Sequence, residues 1–291
     1  MSELKKAVIP SAGLGTRFLP LTKCIDKNLL PLVARPMVSY AVEEAFLSGI
    51  TNVCFITPEK RKEVLDYFKR NLKLEILLQK RSDKELLDIL EKERYDGVSF
   101  SSVTQSLPKG DGDAVLKAKK QIGKSNFAVI FPDDAFDAKI PALLQLKKVF
   151  ETSEKPVIGL QKVSEEKTSS YGCVEVEKIA NRLYKIKGIV EKPEKGKAPS
   201  DLVISGRYIF TPEIFNYLSK TKANKKGEII LAEAIKLMAQ DGKMIYGYEM
   251  EAEWLECGKT IDWLKSNLYL SLKHKEYGPV LKKYLRKNKL I

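Results

Sequence analysis

The stretch "AVIPSAGLGTRFLPLTKCIDKNLLPLV", residues 7–33, decides the fold class. Ala7, Val8 and Ile9 are short, apolar and partly β-branched, and Pro10 and Gly13 bound them, as in a buried strand opening an α/β sheet. The following loop then lies at the carboxyl end of that strand, the edge where open α/β sheets bind ligands. Gly13 and Gly15 supply the first two glycines of a dinucleotide fingerprint, but Phe18 fills the place of the third, and the Gly-Lys-Ser/Thr ending of a Walker A loop is missing. What remains is a backbone bare at two points, with Arg17, Lys23 and Lys27 immediately downstream. That combination suits a polyphosphate. A tight turn with a solvated basic face is the alternative for a single Gly-x-Gly, and three cations in one short segment weigh against it.

Outward from this stretch, strand and helix patterns alternate. "MVSYAVEEAFLSG" reads as a helix ending at Gly49 and "NVCFITP" as a strand. The charged helix patterns "RKEVLDYFKRN" and "SDKELLDILEKERY" follow, then the strand "VSFSSVTQ", the helix "GDAVLKAKKQI" and the strand "FAVIFPDD". Such βαβ alternation predicts a mixed, mainly parallel central sheet. The second half is richer in strands, "PVIGLQKV", "YGCVEVE", "LYKIKGIVEKP" and "LVISGRYIFTP", before the helical "EIILAEAIKLMAQ" and "TIDWLKSNLYLSL". A sheet extension over the same ligand edge is expected. One domain over 1–272, with halves of about 1–150 and 151–272, would precede a basic helix or tail at 273–291.

The 291 residues are 44% apolar, and no run nears the roughly 18 apolar residues of a membrane helix. The chain enters its first strand within a few residues, so a cytoplasmic protein is expected. Cys24, Cys54, Cys173 and Cys257 lie far apart without C-x-x-C spacing, which predicts reduced, mostly buried thiols. Of the net charge of +13, the tail from Lys273 contributes +6. Val280, Leu281, Tyr284 and Leu285 recur there at helical spacing, so a helix docked by one face is expected. Neither membrane nor nucleic acid is expected as a partner, because no aromatic-interleaved stacking pattern accompanies the charge.

Three further segments carry chemistry. In "QSLPKGDGDAVLKAK", Gln105 follows a strand, Gly110 and Gly112 open a helix, and a glutamine amide can pair with the edge of uracil or thymine. In "VIFPDDAF", Asp133 and Asp134 end the buried strand, where a hard divalent cation such as Mg²⁺ would satisfy them; a helix cap with a solvated neighbour is the alternative. In "GIVEKPEKG" and "WLECGK", Glu191, Lys192 and Glu256 end apolar stretches, suiting sugar hydroxyls and a phosphate. The only histidine, His274, sits in the tail, which excludes Ser/His and Cys/His nucleophilic arrangements. A phosphate monoester needs no base to attack another phosphate at neutral pH, so positioning and charge neutralisation would suffice.

These blocks, together with "SGRYIFTPEIF" and "GEIILAEAI", resemble in order and spacing bacterial UTP–glucose-1-phosphate uridylyltransferases over about residues 5 to 270. The resemblance implies a Rossmann-like nucleotidyltransferase fold with an additional sugar-side β extension, Mg²⁺ as cofactor, and a homodimer or homotetramer. It implies that UTP and glucose 1-phosphate give UDP-glucose and pyrophosphate. Ala12, Gly13, Gln105 and Gly110 would hold the uracil and ribose, with Asp134 on the nucleotide side. Gly15, Thr16 and Arg17 would cradle the triphosphate, and Lys27 would assist departure of pyrophosphate. Asp133 would ligate Mg²⁺ with Glu256 as second ligand. Gly172, Glu191 and Gly206 would line the glucose, and Lys192 would hold its phosphate. Three positions depart from the family pattern: Asp26 replaces a proline, Asp113 a histidine and Glu256 an aspartate. A thymidylyltransferase making dTDP-glucose and a non-catalytic UDP-sugar-binding protein remain alternatives.

Overall fold

The computed structural model describes residues 3–59 and 61–290. β1 (Lys6–Pro10) is followed by the glycine loop and three single-turn 3₁₀ segments, Thr16–Phe18, Leu21–Lys23 and Lys27–Leu29. A hairpin of two-residue strands, β2 (Pro31–Leu32) and β3 (Arg35–Pro36), leads into α1 (Met37–Leu47) and β4 (Asn52–Thr57). Three short helices come next: α2 (Glu63–Tyr67), α3 (Leu72–Lys80) and α4 (Lys84–Lys92). The expected single helix through "RKEVLDYFKRN" is thus shorter, and α3 is additional, because the Asn71 side chain accepts from Leu74 N–H at 3.2 Å and caps a new helix there.

β5 (Ser99–Thr104), α5 (Asp111–Lys117), α6 (Lys119–Ile122) and β6 (Phe127–Ile130) complete the first half with β7 (Asp134–Asp137) and α7 (Ala142–Ser153). The second half runs β8 (Val157–Lys162), α8 (Glu165–Thr168), β9 (Gly172–Ala180), β10 (Leu183–Glu191), β11 (Leu202–Phe210), α9 (Ile214–Lys220) and α10 (Leu231–Gln240). It ends with β12 (Tyr246–Glu249), β13 (Glu253–Glu256), α11 (Thr260–Lys273) and α12 (Tyr277–Lys287).

Nine strands form one sheet in the order β5-β4-β1-β6-β11-β8-β12-β10-β9. The first four are parallel; from β11 onward antiparallel pairs dominate, with β12–β8 parallel. β6 and β11 join the halves in register Tyr208↔Val129, so both share one sheet. The apolar runs of the parallel strands have a simple cause: both faces are covered. Val8, Ile56, Phe127 and Val129 pack against α5, α9 and α10, while Ala7, Ile9, Phe55 and Ile130 pack against α1 and α7. Successive residues alternate between the two cores, as the pleat requires.

β7 and β13 form a separate two-stranded ribbon over the ligand edge, with Glu256 opposite Asp134. A third cluster, including Phe18, Leu30, Ala135 and Leu255, ties the segment after the glycine loop to that ribbon. Three of the cysteines are buried and Cys24 is exposed. On α12, Leu281 and Leu285 are half-buried but Val280 and Tyr284 stay exposed, so the docked face is narrower than the spacing predicts. The contact with α11 covers only one edge of that stripe. Among the described residues no helix is long and apolar enough to cross a membrane.

Candidate functional site

The glycine loop is built to hold its shape without a ligand. Gly15 adopts φ +65, where a side chain would be strained, and an added Cβ would lie 3.0 Å from Thr22 Cγ2. Thr22 Oγ1 donates to Gly15 O at 2.8 Å, and Arg17 is anchored by its Nη1 donating to Gly258 O at 3.3 Å. Asp26 does not oppose Lys27 in the cavity. It is buried, and its Oδ1 accepts from Asn28 N at 2.9 Å and Asn28 Nδ2 at 2.8 Å. Burial pushes its carboxyl up, which further weakens it as a competing charge.

Two cavities open at this edge. One, of about 360 Å³, carries Ala12, Gly13, Thr16, Lys27, Gln105 and Gly110 on its walls. The other, of about 270 Å³, carries Arg17, Gly172, Glu191, Lys192, Gly206 and Glu256. Asp111, Phe131 and Asp133 line both. Gly15 lines neither; its left-handed backbone shapes the turn instead of touching the cavity. Asp134, expected on the nucleotide side, lines the second cavity only. Its place at the start of β7 explains this: it pairs with Glu256, and its Oδ1 accepts from Trp254 Nε1 at 2.8 Å.

The shared wall is where charge concentrates. Lys27 Nζ donates to Asp133 Oδ2 at 2.7 Å. Burial alone would raise the Asp133 carboxyl, but the charge and hydrogen bond of Lys27 outweigh it and hold the group below the ordinary carboxylate value. Burial and the negative charge of Asp133 push Asp134 up to about 7. Glu256 Oε2 accepts from the Tyr171 hydroxyl at 2.5 Å. Asp133 and Glu256 face one cavity, which Asp111, Asp134 and Glu191 also line, yet among the described residues no three metal-binding side chains are grouped so that they could hold an ion by themselves. A pair of carboxylates completed by phosphate oxygens and water is the usual coordination of Mg²⁺, so these residues fit that ion.

The second cavity depends on two glycines. A Cβ on Gly206, at φ +72, would sit 2.2 Å from Asp134 Oδ2, and one on Gly172 would sit 3.0 Å from Glu191 Oε2. Lys192, at φ 46, holds the left-handed conformation without being glycine. That strained turn puts its ammonium 3.2 Å from Glu191 Oε1 at the cavity rim.

The nucleotidyl transferase family model matches residues 6–271, nearly the whole chain. The chain belongs to the nucleotidyl transferase family. A UTP–glucose-1-phosphate uridylyltransferase of Staphylococcus haemolyticus is 38% identical over 288 residues, covering 98% of this chain and 99% of the relative. The UTP-bound UGPase of Acinetobacter baumannii superposes with a TM-score of 0.90 at 34% identity, covering 97% of this chain and 99% of that one. A UDP-glucose pyrophosphorylase complexed with UDP-glucose superposes with a TM-score of 0.84 at 34% identity, covering 94% and 100%.

Within this nucleotidyl transferase, several lining residues had no signal in the sequence. Asp111 is one: its Oδ1 accepts from Gly112 N at 2.7 Å and from Leu231 N at 3.0 Å, tying the start of α5 to the start of α10. Gly110 and Gly112 permit that approach, since a Cβ on Gly110 would lie 2.4 Å from Ile229 O. Trp254 and Tyr171 are others, their rings 5.1 Å apart on the second cavity. An Asp after a Gly reads as an ordinary helix start, and an aromatic in a strand or at its entrance reads as core. Their exposure to a cavity is a tertiary fact.

Proposed function

We propose that this protein is a uridylyltransferase that converts UTP and glucose 1-phosphate to UDP-glucose and pyrophosphate. The observation that carries the proposal is the pair of adjoining cavities that meet at Asp133, with Lys27 against it. The first would hold the nucleotide, its base between Gly13 and Gln105 and its phosphates by Thr16 and Lys27, with Arg17 reaching them from the wall of the second. The second would hold the sugar phosphate, with Glu191 on sugar hydroxyls and Lys192 on the phosphate.

A nonbridging oxygen of glucose 1-phosphate attacks the α-phosphorus of UTP in line. The bond from that phosphorus to the α,β-bridging oxygen breaks, and the electron pair leaves with pyrophosphate. The attacking phosphate is already an anion, so no side chain need take a proton. Lys27 and Arg17 neutralise charge that builds on the triphosphate, and the rigid loop holds them in place before substrate arrives. Mg²⁺, when bound by Asp133 and Glu256 together with phosphate oxygens, would add charge neutralisation at the same oxygens. With this reading go the cytoplasmic location expected from the N-terminal sequence and the homodimer or homotetramer that the resemblance implies.

Pyrophosphate release with glucose 1-phosphate and Mg²⁺, run with UTP beside dTTP, ATP, CTP and GTP, tests the proposal. Release fastest with UTP is expected. Release fastest with dTTP would make the protein a thymidylyltransferase. No release with any nucleotide, from protein that binds UDP-glucose, would make it a binding protein.

A further inference from the structure

We infer that Asp113 decides which base is accepted, by fixing the direction in which the Gln105 amide faces. The inference deepens the nucleotide placement proposed above and rests on it. Gln105 and Asp113 are 5% and 6% exposed, so neither turns freely in water. Gln105 Nε2 donates to Gly110 O at 3.0 Å and to Asp113 Oδ2 at 2.7 Å. A primary amide has two N–H groups, and both are spent on the protein.

Neither partner can be served by the other end of the amide. A backbone carbonyl and an ionised carboxylate only accept, so turning Oε1 toward them would leave both unpaired and set three acceptors against one another. Lys117 Nζ lies 3.9 Å from Asp113 Oδ1, on the side of the carboxylate away from the amide. Oε1 is therefore the atom left to the cavity that Gln105 lines, and among the described residues it takes no hydrogen bond.

An amide oxygen fixed in this direction accepts and does nothing else. Uracil and thymine present N3–H to it; cytosine presents an unprotonated N3, so two acceptors would face each other. The pocket thus discriminates by hydrogen-bond polarity, with Asp113 as a positioning residue that need not touch the nucleotide. An amide free to flip could serve either base. Gly110 alone holds it less firmly, since one neutral bond is roughly half as strong as a charge-assisted one.

The test measures kcat/KM for UTP, CTP and dTTP with saturating glucose 1-phosphate, in the full-length protein and in Asp113→Leu, Asp113→Asn and Gln105→Leu, with Tm recorded for each. The unmodified protein should prefer UTP to CTP by about a hundredfold or more, as sites that pair buried polar groups do. Asp113→Leu should lower that ratio about tenfold, the scale of one charge-assisted bond. Asp113→Asn, which keeps an acceptor and nearly the same volume, should lower it less, and it gives the reading if the leucine variant does not fold. The UTP-to-dTTP ratio should stay unchanged, because the two bases share one pairing edge.

A UTP-to-CTP ratio unchanged in the Asp113 variants but collapsed in Gln105→Leu would overturn the positioning role and leave the nucleotide placement standing. A ratio unchanged in Gln105→Leu as well would overturn both. An equal loss with all three nucleotides would make Asp113 a structural support only and overturn the inference too.

Discussion

Arg207 and Lys27 each meet a carboxylate inside the protein, and the two pairs are built differently. The Arg207 and Glu44 side chains are 0% and 9% exposed. They pair through two bonds, at 2.9 and 3.0 Å, while the other guanidinium N–H groups reach Phe131 O at 2.9 Å, Gly206 O at 3.1 Å and Asp134 O at 2.6 Å. Glu44 Oε1 also takes the Leu143 N–H at 2.8 Å, and the guanidinium lies 4.8 Å over the Phe136 ring. Lys27 and Asp133, at 19% and 21% exposure, share one bond of 2.7 Å and face a cavity. A buried charge whose donors all find protein acceptors is a structural fixture. One with donors and lone pairs left over is available to a ligand.

Breaking the first pair should have the largest effect. Arg207→Met strands Glu44 and three carbonyls, and a loss of about 3–5 kcal/mol in unfolding free energy is expected from urea denaturation. A loss below about 1 kcal/mol would place the pair with ordinary surface ion pairs and erase the contrast. Lys27→Ala should behave in the opposite way. Its kcat for UDP-glucose formation should fall about 10²–10³-fold, the scale of one preorganised charge-stabilising donor, with Tm within a few degrees. A large fall in Tm with kcat retained would show that this pair, too, is structural.

The smallest effect sharpens the comparison at the surface. Asp137 on β7 is paired with Lys273 and Tyr269 of α11. The Lys273 hydrogen bond, stronger than the opposing effect of burial and aided by Tyr269, holds its carboxyl below the ordinary value. A folded pKa below the unfolded one gives stabilisation that is present above about pH 4 and lost as pH falls through the folded value. Asp137→Asn should therefore cost about 0.5 kcal/mol at neutral pH, since solvent screens the pair. That cost should shrink at about pH 2, as the native carboxyl takes up its proton. Urea midpoints at the two pH values check this; an equal cost at both would assign the effect to packing.

What could be read in advance follows the range of the interactions concerned. β1, β4 and β6 are covered on both faces, so they appear as apolar runs, and the loop after β1 carries its glycines and cations within a few residues. Asp133 was visible because a carboxylate after such a run demands a partner. The Arg207–Glu44 pair was not, because its members are 163 residues apart and each sits in an unremarkable segment. Nor was the ribbon of β7 and β13, whose strands are four residues each and too short for a periodic signal. Asp134 illustrates the boundary: its chemistry was legible, and its cavity was set by pairing with β13.

From the chain alone came the α/β class, the glycine loop with its following cations and the ordered residue types of a nucleotidyltransferase, since these rest on local pattern and spacing. Only the tertiary structure decided which charges are spent on the protein and which are left to a substrate. That distinction depends on hydrogen-bond partners brought together from distant segments, and Gln105 shows it at the level of one atom: its two N–H groups are consumed at Gly110 and Asp113, and its oxygen is not.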